Sequence, residues 1–180
     1  MPTLTIANDY SHLFGRAVLE HLHLSLHREI AHILTTTLIP PMTKPSKEKT
    51  KVGQSVYSGK DFNTPLSIAL KGAGWEPRRL VYDQSQSYST TVDFTKGRVG
   101  LELQFGKYAF VQHDFYKFQY MFQLRLENTI DVGVEIVAVA NLQRKMYTGP
   151  ANFESVVAAL RAHARNEPPV PIWLIVVDVI

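Results

Sequence analysis

The sequence predicts a fold of the α/β or α+β class, because segments with strand periodicity alternate with segments of helical periodicity along most of the chain. Residues 90–105 alternate apolar with polar or small residues, which is the period of half-buried strands. Residues 132–140 and 172–179 are apolar almost throughout, as in strands buried on both faces. Residues 109–126 and 153–165 carry apolar side chains at helical spacing.

Length and composition fit one globular domain. With 180 residues, 45% of them hydrophobic, the chain can bury a core. We expect residues 1–55 to form a helical preface and a basic loop, and residues 56–180 to form the core of the same single domain, 1–180. A net charge of +3 and a pI near 9.1 are compatible with a nucleic-acid partner and are weak evidence for one.

The chain contains no cysteine, which excludes disulfides and thiolate metal sites. A cytoplasmic location is the simplest setting for such a composition. The first residues lack the basic and apolar regions of a signal peptide. No apolar run approaches the roughly 18 residues that a membrane span needs, so we expect no membrane partner.

The N-terminal third predicts a short strand at residues 3–7, followed by helices at about 11–23 and 25–35. Asn8, Asp9 and Ser11 are candidate caps for the first helix, and Ser25 for the second. The buried stripe is apolar and comprises Leu19, Leu22, Leu26, Ile30, Ile33 and Leu34.

Four histidines lie in these predicted helices, at His21, His23, His27 and His32. His23 and His27 are four residues apart, so one continuous helix would let both bind one metal ion. The alternative is a solvated helix face, which we favour because Ser25 divides the pair.

The next segment, residues 43–55, is a loop with four lysines that either is simply solvated or lies along a phosphate backbone. A helix capped by Asp61 or Asn63 follows, with Pro65 in its first turn. Residues 80–82 form a short strand, and residues 83–89 are a polar loop.

The alternating stretch 90–105 predicts a hairpin whose two-residue loop is Lys96-Gly97. In that register Asp93 faces Gly100 and lies diagonally from Glu102, at about 7–8 Å between backbones. Asp93, Glu102 and Gln104 then share the face opposite the apolar one. Two carboxylates across that gap hold one Mg²⁺, with about 2.1 Å to each oxygen, and Gly100 leaves space for it.

The helix at residues 109–126 has two apolar stripes. The first comprises Val111, Phe115, Phe118 and Phe122, and the second comprises Tyr116, Tyr120 and Leu124. One side packs on the sheet, and the other packs either on a second subunit or on another helix of the chain.

Two further polar features follow that helix. Glu135 interrupts an apolar strand, and it lies either near the metal face or, as we favour, in a salt bridge with Arg144 or Lys145. The loop at residues 143–152 combines bases and amides, the groups that read bases in the major groove.

The stretch that carries Asp93, Glu102 and Gln104 also resembles a known family. Asp, eight residues, Glu, one apolar residue and Gln is similar to the active-site pattern of the BglII/BstYI group of type II restriction endonucleases, a branch of the PD-(D/E)XK nucleases with Gln in place of the usual Lys. Residues 99–110 resemble that family's catalytic strand and the turn after it, and residues 131–136 resemble the next strand. Fainter similarity lies near residues 51–53 and 4–6.

The resemblance implies a restriction-endonuclease-like sandwich, with a mixed central sheet flanked by helices and preceded by the N-terminal helical preface. It implies Mg²⁺-dependent hydrolysis of double-stranded DNA at a short palindrome by a homodimer. Asp93 and Glu102 hold the metal together with the Leu103 carbonyl, and Gln104 orients the attacking water. The expected DNA-binding residues are Lys107, Lys117, Arg144, Lys145, Tyr147, Thr148 and Asn152.

Two other functions stay open on the same fold: a non-cleaving DNA-binding protein, and a repair or structure-specific nuclease. Family members continue past the final strand into a segment that helps to enclose DNA, so we carry over no enclosing contacts. The target sequence, the cleavage position and a cognate methyltransferase are not readable from these residues.

Overall fold

The structure is a computed structural model, which describes residues 1–42, 44–47, 49–81, 89–123, 129–147, 149–162 and 168–180. Several sequence-based expectations fall outside these residues. They concern the polar loop at 83–88, Tyr82, Leu124, Thr148 and the end of the helix expected at 153–165.

Strands and helices alternate along the described chain, as the periodicities predict. They are β1 (Leu4–His12), α1 (Gly15–Leu22), α2 (Leu24–Thr36), β2 (Lys44–Pro45), β3 (Ser55–Val56), α3 (Gly59–Gly72), β4 (Glu76–Val81), β5 (Ser89–Lys96), β6 (Val99–Leu103), α4 (Val111–Gln123), β7 (Val132–Ala138), α5 (Ala140–Arg144), α6 (Phe153–Ala162) and β8 (Ile172–Val179). Short 3-10 turns lie at Lys49–Lys51 and at Tyr108–Phe110, the second directly before α4.

Six strands form one mixed sheet in the order β1-β8-β7-β6-β5-β4. The central strands β6, β7 and β8 are parallel, whereas β1, β4 and β5 pair antiparallel with their neighbours. All seven residues of β7 are buried, which confirms the prediction of a central strand covered on both faces. Helices α1, α2, α3 and α5 pack on one face of the sheet, and α4 and α6 pack on the other.

The strand expected at residues 3–7 is longer in the structure and belongs to the central sheet. β1 extends to His12 and pairs with β8, so the polar residues that we expected to cap a helix lie in an edge strand. Asp9 accepts a hydrogen bond from the Trp173 indole at 2.8 Å. The first helix begins at Gly15, where a Cβ would lie 2.2 Å from the Ile172 backbone.

The helices differ from the predictions mainly at their ends. Helix α3 begins after Ser58, whose N–H donates to the Asp61 carboxylate at 2.6 Å, so Asp61 lies inside the helix rather than at its cap. Leu22 is 67% exposed and does not join the expected buried stripe.

His23 and His27 contact different acids. His23 lies 3.0 Å from Asp131, whereas His27 lies 3.6 Å from Glu20 and packs against the Trp173 ring. The two imidazoles therefore point to separate partners instead of a common metal position. In the described part of the chain, no helix is long and apolar enough to cross a membrane.

Candidate active site

A β-bulge in β5 places Asp93. Between the pairs Glu76↔Thr95 and Arg78↔Val92, β5 advances three residues while β4 advances two. Val92 consequently packs in the core under α4, whereas Phe94 packs in the core on the other face. Bulges re-aim a side chain in this way, and our expectation that Val92 and Phe94 share one apolar face was wrong for that reason.

The hairpin register differs from the predicted one by two residues. Lys96 pairs with Val99 and Phe94 pairs with Leu101, so the two-residue loop is Gly97-Arg98. Gly97 has a φ of 55° and occupies the first loop position, where a primed hairpin turn requires glycine. Both registers leave the same residues on the same face, which is why the apolar pattern did not distinguish them.

The corrected register brings Asp93 and Glu102 closer than the diagonal arrangement. The Leu103 N–H donates to Asp93 Oδ2 at 3.0 Å, and the Asp93 N–H donates to Glu102 Oε1 at 3.4 Å. Each carboxylate therefore accepts a hydrogen bond from a backbone N–H of the neighbouring strand. These bonds lie just beyond Phe94↔Leu101, the last residue pair of the β5–β6 ladder. These contacts hold both side chains on one side of the hairpin.

Gly100 does not leave space for a metal ion. It pairs with Thr95 across the hairpin and with Gly133 across the parallel strands. A Cβ at Gly133 would lie 2.6 Å from the Phe118 ring, and one at Gly100 would lie 3.3 Å from it. The two glycines form a slot for Phe118, which seats α4 close to the strands that carry the carboxylates.

We predict that Gly133→Ala destabilises the protein by about 2 kcal/mol, because the methyl group overlaps a fully buried aromatic ring. Gly72→Ala is the matched control, since no described atom beyond its chain neighbours and the backbone of α3 lies within 4 Å of that Cβ position. Urea unfolding of both variants tests this. If the two variants had equal free energies of unfolding, Phe118 would be able to shift away from an added methyl group without destabilising the protein.

The catalytic candidates line one pocket of about 220 Å³. Its walls comprise Asn63, Asp93, Glu102, Leu103, Gln104, Gly106, Phe110, His113, Asp114 and Lys117. The structure thus brings together the four residues that sequence analysis placed at a metal site, including Leu103. It adds three polar side chains that sequence analysis did not assign to a site, those of Asn63, His113 and Asp114.

Lys117 lies inside this pocket rather than on a DNA-facing surface. Its Nζ lies 2.8 Å from Glu102 Oε1 and 2.8 Å from Asp114 Oδ1, and its side chain is 8% exposed. The ammonium is buried and bound to two carboxylates, an environment different from the exposed one that we expected, and its contact with DNA stays a prediction. Asp114 and Lys117 lie between Val111, Phe115, Phe118 and Met121 on the buried face of α4, so their helical positions already indicated burial.

The Gln104 amide is fixed at both of its polar atoms. Its Nε2 donates to Asp114 Oδ2, and its Oε1 accepts from the Gly106 N–H at 3.2 Å. One N–H and one lone pair remain for a molecule in the pocket. Because an amide does not titrate, it can orient such a molecule without acting as a base.

Burial and mutual repulsion govern the charges of the site. Burial raises the pKa of Glu102 well above its usual value, as do Asp93 and Asp114, while the Lys117 ammonium opposes the rise. Burial also raises the pKa of Asp114, again against Lys117. For Lys117, burial disfavours the charge, but Glu102 and Asp114 outweigh it and raise its pKa. The three pocket carboxylates therefore favour cations.

Glu135 lies behind the pocket, opposite Glu102 in the parallel pairing of β6 and β7. It is fully buried, and neither of its carboxylate oxygens has a hydrogen-bond partner among the described residues. Arg144 and Lys145 are exposed, so the salt bridge that we favoured does not form. Burial, followed by Asp114 and Glu102, raises the pKa of Glu135 well above its usual value.

We predict that Glu135→Gln stabilises the protein increasingly as the pH rises from the usual glutamate range towards the raised native pKa of Glu135. Over this range Glu135 ionises first in the unfolded chain, and the native state loses about 1.4 kcal/mol for each unit by which its pKa is higher. A glutamine has no proton to lose, so the difference is smallest at low pH. Thermal unfolding across this range measures it. The exposed control Glu154→Gln should show no such trend, and a parallel trend in both variants would contradict the prediction.

The other predicted DNA-binding residues that the structure describes lie outside the pocket. Lys107, Arg144 and Lys145 are exposed, and Thr148 lies outside the described residues. Asn152 Oδ1 accepts the Ser155 N–H at 2.9 Å and caps α6, so its carbonyl oxygen has a structural role.

A second cleft of about 530 Å³ adjoins the pocket and shares Asn63 and Gly106 with it. Lys44, Lys60 and Tyr147 also line this cleft, and the Lys44 Nζ lies 5.0 Å from the centre of the Tyr147 ring. The buried Oδ1 of Asn63 has no hydrogen-bond partner among the described residues. Basic side chains thus lead from the surface to the carboxylates.

The pocket carboxylates fit a hard divalent cation. The hydrogen bonds made by described residues use Asp93 Oδ2 and Glu102 Oε1, which leaves Asp93 Oδ1 and Glu102 Oε2 as oxygen donors. Among the described residues, no three acidic or histidine side chains form a metal-binding group. Two carboxylates, completed by water and substrate phosphate, are the usual protein contribution to Mg²⁺.

Comparison with known proteins gives a consistent result. A family model described as restriction endonuclease BglII/BglIII matches residues 8–177. Among solved structures, BglII complexed with a DNA 16-mer matches with a TM-score of 0.77 and 18% identity, over 94% of this chain and 74% of that chain. Free BglII matches with a TM-score of 0.65 and 15% identity, over 94% and 77%. No curated protein matches the chain.

Proposed function

The chain belongs to the BglII/BglIII family of restriction endonucleases, and from this premise we propose that it is a homodimeric, Mg²⁺-dependent enzyme that cuts double-stranded DNA at a short palindrome. As a member of this family the chain is a type II restriction endonuclease, which is a site-specific DNA nuclease. What we add as proposals are the identity of the metal, the roles of individual residues, the dimer and the palindromic target. A DNA substrate is consistent with the cytoplasmic location that the sequence favours.

The observation that carries the proposal is the geometry of Asp93 and Glu102. They lie on adjacent strands, line one pocket, and each retains a carboxylate oxygen that accepts no hydrogen bond from the described residues. Both carboxylates would hold the metal, and the carbonyl of Leu103, which follows Glu102 on β6, would be a further oxygen ligand. When bound, Mg²⁺ supplies Lewis-acid polarisation of the phosphate and a bound water of lowered pKa.

The chain's own groups then position the reactants. Gln104 is held by Asp114 and Gly106, so its remaining N–H and lone pair orient the attacking water. Lys44 and Lys60 line the adjoining cleft, where they would neutralise phosphates next to the scissile one without reading sequence. Lys107, Arg144, Lys145 and Tyr147 remain candidates for contacts with bases or backbone.

A two-fold dimer matches a palindromic site, because each subunit then meets the same half-site. Tyr116 and Phe122 of α4 are 52% and 37% exposed, which supports the sequence-based alternative of a second subunit on this helix. Sedimentation equilibrium measures the mass. A monomer at micromolar concentration with DNA bound would contradict the dimer.

Plasmid cleavage tests the whole proposal. With Mg²⁺ the protein should give discrete fragments, and excess EDTA should abolish them. Sequencing the fragment ends then defines the target and the cleavage position. Nicking without sequence preference would favour a repair or structure-specific nuclease. DNA binding without cutting would favour a non-cleaving DNA-binding protein.

A further inference from the structure

We propose that Lys117 is a built-in cation that occupies the place of a second divalent ion, so that the pocket accepts one metal ion instead of two. The inference rests on the proposed metal site at Asp93 and Glu102. It concerns a residue of α4 that this fold brings to the carboxylates through the Phe118 slot.

The contacts of Lys117 are those of a bridging cation. Its Nζ is equally distant, at 2.8 Å, from one oxygen of Glu102 and one oxygen of Asp114. The side chains of these three residues are between 3% and 8% exposed, so water does not screen the interaction. A metal ion that bridges Glu102 and Asp114 would need the same position.

The charges of the pocket also indicate that Lys117 takes the place of a second divalent ion. Asp93, Glu102 and Asp114 line it together with Lys117, the one Lys or Arg among its described lining residues. With a cation bound, the three carboxylates would supply three negative charges and the ammonium one positive charge, which leaves two negative charges for one divalent ion to balance. His113 is the other titratable lining residue, and Glu135 lies behind the pocket, where burial disfavours its charge.

Removing the ammonium should therefore create a second metal position. Without Lys117, Glu102 and Asp114 would face each other across the volume of its Nζ, with three negative charges in a buried pocket. Two carboxylates and water suffice for a divalent cation of this type. A lysine with a purely structural role would instead leave the number of bound ions unchanged.

Counting Mn²⁺ ions bound to the full chain without DNA tests the inference. Free Mn²⁺ is measured by electron paramagnetic resonance during titration, for proteins whose folding is checked by circular dichroism. We expect one ion per chain for the wild type and two for Lys117→Met. Lys117→Gln, which keeps a hydrogen-bond donor without the charge, should also bind two, and it carries the test if Lys117→Met does not fold.

Two controls separate charge from side-chain loss. Lys117→Arg keeps the cation and should bind one ion. The double variant Asp114→Asn, Lys117→Met loses the second pair of oxygens together with the ammonium, and it should also return to one.

The possible failures differ from one another. One ion in both Lys117→Met and Lys117→Gln, or two ions in the wild type, would overturn the inference and leave the metal-dependent nuclease intact. No bound ion in any protein at millimolar Mn²⁺ would overturn the metal site on which the inference rests.

Discussion

Asp93→Asn should reduce DNA cleavage by about a thousandfold or more, while folding and DNA binding stay close to those of the wild type. Asparagine keeps a carbonyl oxygen that can accept the Leu103 N–H, which Asp93 accepts at 3.0 Å. It loses the charge and replaces the second oxygen by an amide that cannot bind a metal ion. If the metal supplies about 4 kcal/mol to the transition state, its loss costs roughly a thousandfold in rate.

Single-turnover cleavage of plasmid measures this effect, and a gel shift in Ca²⁺ measures binding separately. Asp178→Asn is the matched control, because that carboxylate also accepts a backbone N–H, that of Val179 at 2.8 Å, but lies on β8 outside the pocket. Asp178→Asn should cut like the wild type. Cleavage by Asp93→Asn within about tenfold of the wild type would exclude Asp93 as a metal ligand.

The fold class was predictable from the periodicities of the sequence, and the family from the pattern of Asp93, Glu102 and Gln104, which resembles its active site. Because side chains alternate with period two, the sequence predicts Asp93, Glu102 and Gln104 on one side of a hairpin. The family model and the solved structures confirm the resemblance that this pattern carried, together with the mixed sheet between helices.

The hairpin register and the contacts of Asp93 were not predictable in the same way. A shift of two residues preserves every face, so hydrophobicity cannot distinguish a Lys96-Gly97 loop from a Gly97-Arg98 loop. The bulge that re-aims Asp93 has no comparable sequence signal, because it depends on the pairing of β5 with β4. Tertiary contacts determined both features.

Lys117 shows the limit of assigning charged residues by type. Bases on a helix usually face solvent, and a nuclease has an evident use for them on its surface. The helical positions of Asp114 and Lys117 among buried aromatic residues were the contrary signal. A buried base next to a buried acid usually means a paired charge, and here the partner acids belong to the candidate active site.

Glu102→Gln should slow cleavage about a thousandfold and at the same time stabilise the metal-free protein at neutral pH. The pKa of Glu102 is raised by burial, by Asp93 and by Asp114, so its ionised form costs free energy that glutamine does not. This cost is absent below the usual glutamate range and grows as the pH rises towards the native pKa, by about 1.4 kcal/mol per unit. The cleavage rate should fall by about a thousandfold, as for Asp93→Asn.

Thermal unfolding with and without Mg²⁺ shows whether Glu102 binds the metal ion or is only a buried carboxylate whose charge destabilises the protein. Glu135→Gln is the matched control, since the two glutamates face each other across β6 and β7 and only Glu102 lines the pocket. Both variants should unfold at a higher temperature than the wild type without metal. Mg²⁺ should raise the unfolding temperature of the wild type and of Glu135→Gln, by selective binding to the native state, but not that of Glu102→Gln. If Mg²⁺ stabilised Glu102→Gln as much as the wild type, the ion would bind elsewhere and the proposed role of Glu102 would be wrong.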